Sequence, residues 1–106
     1  MIKYGSDHIT ELRFTSFDAT IERRDDQWVD IVLRPTLDEG TPVPDDLIQF
    51  TLYVICTLDG TIVQMIPQDD DCDCEYQLTF SEKEQVRAYM MQPAIQETIS
   101  GLTPPQ

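Results

Sequence analysis

The chain has 106 residues, 41% of them hydrophobic, enough for one domain with one core and too apolar for wholesale disorder. Seven basic residues against twenty acidic ones leave a net charge of −13. That sign argues against direct binding to nucleic acid or to an anionic membrane, because both carry the same charge.

In chain order, the N-terminal segment 1–8 has one Lys and no apolar run, so it does not read as a signal peptide. His8 to Phe17 reads as a first strand, with Leu12 and Phe14 on one side. Ala19–Arg24 and Trp28–Arg34 both alternate. A three-residue loop, Asp25-Asp26-Gln27, sets Ile21 opposite Ile31 and Ala19 opposite Leu33, whereas a two-residue loop faces Ile21 with Asp30. The odd loop wins on parity. From Leu47 to Ile66 the alternation is broken by Asp59-Gly60, a hairpin signal. A two-residue loop there pairs Leu58 with Thr61, Cys56 with Val63 and Val54 with Met65. It puts Ile48, Phe50, Leu52, Val54, Cys56, Val63 and Met65 on one face.

Cys72 to Phe80 alternates apolar and polar residues and reads as a half-buried strand. The period then changes. Ser81-Glu82-Lys83-Glu84 has the form of a capping box, and Val86, Tyr89 and Met90 follow at helical spacing. Pro93 ends or kinks this helix and can open a second piece carrying Ile95, Ile99 and Leu102, with Gly101 near its end. The expected fold class is α+β: an antiparallel, hairpin-rich meander of five or six strands with a C-terminal helix, kinked at Pro93, packed on one face. Residues 1–102 form the single domain, and 103–106 a frayed tail.

Charge is distributed unevenly. Residues 1–34 carry seven acids and five bases, residues 35–82 eleven acids and no base, and residues 83–106 two of each. On an extended segment, Asp69, Asp71, Asp73 and Glu75 share one parity and repeat every ~6.6–6.8 Å. Unpartnered rows of this kind gain nothing for folding. They serve either solubility and edge protection or the attraction of a basic partner. With Asp38, Glu39, Asp45 and Asp46 they form the candidate partner-binding surface.

A second candidate surface is apolar. Trp28, Val32, Tyr53, Ile55, Ile62 and Ile66 fall opposite the main core face. They are buried if the sheet closes into a barrel or sandwich, and otherwise form an interface with Trp28 and Tyr53 as anchors. Arg24 lies opposite Trp28 and could stack on it.

Site chemistry is thin. The Asp69–Glu75 segment fails as a calcium loop, because Cys74 and Phe80 stand where Gly and Glu are needed. Cys72 and Cys74 with distant Cys56 and the single His8 do not make a zinc set, and three Cys are too few for a disulfide scaffold. Cys72 and Cys74 read as small strand hydrophobes. Four scattered Gly give no phosphate-cradling loop. The expectation is a non-enzymatic cytoplasmic protein without cofactor or metal. Its acidic surface would occupy a basic, nucleic-acid-binding surface of a partner protein, as an inhibitor or nucleic-acid mimic of the immunity or counter-defence type. The alternative is an assembly subunit, such as a homodimer, formed through Trp28, Val32, Tyr53 and Ile55.

Overall fold

The computed structural model describes residues 1–3, 5, 9–40, 48–70, 72–73 and 76–102. Its elements are β1 (Ile2–Lys3), β2 (Phe14–Arg23), β3 (Trp28–Leu37), β4 (Phe50–Thr57), β5 (Ile62–Asp69), β6 (Cys72–Asp73), β7 (Tyr76–Gln77), α1 (Phe80–Met90) and α2 (Pro93–Ser100). Strands β2 to β6 form an antiparallel meander in chain order, and β1 pairs with β7 in a separate two-stranded ribbon. The class is α+β, as expected.

Alternation builds the sheet. Along β3, Val29, Ile31 and Leu33 are fully buried while Trp28, Asp30 and Val32 between them are half-buried. On β4 Leu52, Val54 and Cys56 are buried on the same face, and Thr51 is buried on the other. Val86 and Met90 of α1 and Ile99 of α2 close over this face, and Met1, Leu12 and Leu78 complete the core. Each fully buried Leu, Ile, Val or Met side chain contributes about 1.5–3 kcal/mol. The β2–β3 register has Ile21 opposite Ile31 and Ala19 opposite Leu33, the pairing that the odd loop requires.

The β4–β5 hairpin corrects the two-residue reading. Thr57 N–H donates to Thr61 C=O and Gly60 N–H to Thr57 C=O, so the loop is Leu58-Asp59-Gly60, with Gly60 at φ +87°. That loop puts Cys56 opposite Ile62, not Val63. A bulge at Val63 then absorbs the extra residue, and Val54 meets Met65 as expected. Ile62 consequently packs against the core, while Val63 is 54% exposed. Ile48 precedes the strand and is exposed.

Three further expectations are corrected. The N-terminal strand does not span His8–Phe17: the main-sheet strand starts at Phe14 and runs on to Arg23. Cys72–Phe80 is not one strand, since β6 and β7 are separate pairs in different sheets. The helix cap lies two residues earlier than Ser81. Thr79 is the N-cap, Glu82 is its capping-box partner, and Phe80 is an exposed first-turn residue. Pro93 opens α2 at its first turn, and Gly101 follows that helix as its C-cap.

Candidate functional site

Antiparallel order brings the acidic stretches to one end of the sheet. The end of β3, the start of β4, the end of β5 and the start of β6 lie together, with Phe50 opposite Asp69 and Asp69 opposite Cys72. Asp38 and Glu39 leave β3 at this end and are exposed. Two strand spacings, about 10 Å, separate the β3 column from the β5 column, comparable to the screening length of dilute salt.

Asp69 is partly committed to local structure. Its Oδ1 accepts from Ile48 N–H at 2.9 Å and Gln49 N–H at 2.7 Å. Asp70, at φ 53°, turns the chain and donates its N–H to Gln49 C=O at 3.0 Å. The turn replaces the single extended row expected for Asp69 to Glu75: Asp73 lies on β6, opposite Gln68. Asp45, Asp46, Asp71 and Glu75 lie outside the described residues, as do His8 and Cys74. Among the described residues, no ion pair reaches Asp38, Glu39, Asp69 or Asp70; the pairs present are Met1–Glu82, Arg23–Asp26, Arg24–Asp30 and Arg87–Glu84.

The second surface is the sheet face turned away from the helices. Trp28, Val32, Tyr53, Ile55 and Ile66 are half-buried there, and among the described residues no second layer covers them. The sheet is open. Arg24 does not stack on Trp28 but is drawn to Asp30 and Tyr53. Its Nε donates to Asp30 Oδ2 at 2.9 Å and its Nη2 to Asp30 Oδ1 and, at 2.6 Å, to Tyr53 Oη. The guanidinium holds the Asp30 carboxyl below its ordinary range, and these partners in turn raise the Arg24 pKa. Burial, then the Asp30 carboxylate, pushes the Tyr53 phenol up.

Sequence reasoning missed a third polar centre. Glu82 is fully buried; its Oε2 accepts from the Met1 amino group at 2.6 Å and from Leu12 N–H at 2.8 Å, and its Oε1 from Thr79 N–H at 2.8 Å. Beside it, Gln85 accepts from Phe14 N–H at 2.8 Å and donates to Leu12 C=O at 2.9 Å. The pattern Thr79-x-x-Glu82 was a second, overlapping capping-box frame and the signal available in the sequence. With three donors and no described cavity beside it, Glu82 reads as an organiser of the fold.

Among the described residues no three His, Cys, Asp or Glu are grouped to hold a metal, and no helix is long and apolar enough to cross a membrane. Burial, then Asp30 and Asp59, pushes the Cys56 thiol up to about 11, which makes it a poor nucleophile. Comparison with family models, curated proteins and solved structures returns no match. The fold and its surfaces define a small acidic α+β protein with an open sheet.

Proposed function

We propose that the protein is a non-enzymatic binding module whose acidic sheet end occupies a basic, nucleic-acid-binding surface of a partner protein, as an inhibitor or nucleic-acid mimic. The observation that supports this reading is the convergence of Asp38, Glu39, Asp69 and Asp70 on one end of the sheet, with no ion pair to them among the described residues; Arg13, whose C=O accepts from Asp38 N–H at 2.9 Å, is the base beside them. Like charges held together cost folding energy, and facing a basic groove they speed encounter and reject wrong partners. The test is retention of host proteins on the immobilised chain, compared with an Asp38→Lys/Glu39→Lys variant. Expected is a basic protein retained at low salt, released by high salt or by competing duplex DNA, and lost on the variant. Retention indifferent to salt and to charge reversal overturns the reading.

The open face favours a second reading, an assembly subunit formed through Trp28, Val32, Tyr53 and Ile55. Half-buried aromatic and aliphatic residues without a covering layer are what a homodimer interface uses as anchors. Sedimentation separates the two readings: an oligomer dissociated by Trp28→Ala supports assembly, and a monomer at all concentrations removes it.

A further inference from the structure

Strand β2 is the outer strand of the meander. It pairs with β3 on one side, and among the described residues nothing pairs with its other side. After a register irregularity between Phe14 and Ser16, its pairing is regular from Ser16 to Arg23. That is eight residues, or about 26 Å of backbone. At its start, the Gln85 amide bonds Leu12 and Phe14 much as a neighbouring strand would. Beyond that point no described side chain plays this part.

Beside this edge runs a groove of about 470 Å³ between β2 and α1, lined by Phe14, Phe17, Gln85, Ala88 and Tyr89 among others. Its apolar lining is aromatic: the Phe14 and Phe17 rings lie 5.1 Å apart, and Phe17 and Tyr89 4.8 Å apart. On the opposite face of the same strand Asp18 and Glu22 are exposed and flank exposed Thr20; Arg34, opposite Asp18 on β3, donates to Thr20 Oγ1 at 3.2 Å, so two carboxylates share one guanidinium and, among the described residues, neither is in an ion pair.

We infer that β2 and this groove accept an extended segment of a partner protein by strand addition, with apolar side chains facing Phe17 and Tyr89 and basic ones facing Asp18 and Glu22. Main-chain hydrogen bonds along the edge supply affinity, and the alternating side chains supply selectivity. Residues directly opposite on an added antiparallel strand lie ~4.5–5.5 Å apart, so bases spaced four residues apart meet both carboxylates. Charge also decides against a second copy of this chain. Any central antiparallel pairing of β2 with itself sets Asp18 or Glu22 opposite or diagonal to an acid of the other copy, on a body already at −13. The inference concerns a different surface from the acidic sheet end and stands apart from that reading.

The experiment uses the full chain, isotope-labelled for NMR, and a synthetic blocked peptide of sequence Lys-Val-Thr-Val-Lys-Val-Thr. Its controls are a scrambled peptide of the same composition and a version with Glu in place of Lys. Expected are shifted and exchange-protected amides over Ser16–Arg23 with the first peptide, and at least about tenfold weaker binding of both controls. Asp18→Lys/Glu22→Lys should reverse the preference between the Lys and Glu peptides. Ala88→Trp, which fills the groove from an exposed helix position, should weaken binding while leaving the remaining amide spectrum in place. Absence of binding, equal binding of the scrambled peptide, or shifts confined to Asp38, Glu39, Asp69 and Asp70 overturns the inference. Concentration-dependent protection of β2 in the protein alone overturns it in favour of a second copy.

Discussion

The amino nitrogen of Met1 lies 2.6 Å from Glu82 Oε2, joining residues 81 positions apart inside the core. Removing one member of a buried charge pair leaves the other uncompensated, a loss of about 3–5 kcal/mol. Glu82→Gln and Glu82→Ala should both lower the denaturation midpoint by an amount of that order. The exposed neighbour Glu84, paired with Arg87 on the helix surface, should change stability by less than about 0.5 kcal/mol as Glu84→Gln. Urea titration of the three variants checks both statements.

The two overlapping capping frames make opposite claims about Thr79 and Ser81. Thr79 accepts from Glu82 N–H and donates to Glu11 at 2.6 Å, whereas Ser81 is exposed inside the first turn. Thr79→Ala should cost about 1 kcal/mol, and Ser81→Ala close to nothing. Equal losses in thermal unfolding would refute the cap assignment.

Gly60 combines a left-handed backbone with a close neighbour. A Cβ there would sit 2.2 Å from Gln96 Oε1, the end of a flexible side chain whose Nε2 donates to Met90 C=O. Because that side chain can move, the backbone at φ +87° carries most of the penalty, about 1–2 kcal/mol for Gly60→Ala. The loss should persist in a Gln96→Ala background. Full recovery there would mean that steric contact, not backbone conformation, requires the glycine.

Asp30 and Tyr53 give the stability profile two pH limbs. The depressed Asp30 pKa contributes stability that is present above the ordinary carboxylate range and lost as pH falls through the folded value. For Tyr53 the folded pKa is raised, so its contribution is present below the ordinary phenol value and lost as pH rises through the folded one. Asp30→Asn should flatten the acid limb and let the Tyr53 phenol ionise at lower pH. Denaturation at several pH values and ultraviolet phenolate titration read these changes. An acid limb identical to the parent protein's would remove Asp30 from the account.

Cys56 has a buried thiol whose pKa is pushed to about 11, so it should resist a maleimide in the folded protein and react fully once unfolded. In a Cys72→Ser/Cys74→Ser background the labelling rate should track unfolding. Rapid labelling under native conditions would contradict the packing of β4.

Most of the meander was legible because alternation and turn chemistry agree along β3 and β4, where parity alone set Ile21 opposite Ile31. The errors came where two local signals competed. At Asp59-Gly60 both loop lengths suit the sequence, and closure on Gly60 with a bulge downstream is decided by three-dimensional fit. At Thr79 and Ser81 the same spacing occurs twice, and a choice depends on Met1 and Leu12, distant in sequence. The acidic end was legible as composition only. Its convergence depends on strand order, and the turn at Asp70 divides what looked like one row.

The bulge at Val63 gives the ribbon one residue to spare. With Val63 deleted, the loop Leu58-Asp59-Gly60 still sets Cys56 opposite Ile62, while Gln64 and Met65 keep Ile55 and Val54 as partners, so every remaining side chain of β5 keeps its side. The pairing of β3 with β4 over Trp28–Leu33 holds no such reserve, and the same loss within it would turn the residues beyond the deletion to the opposite face.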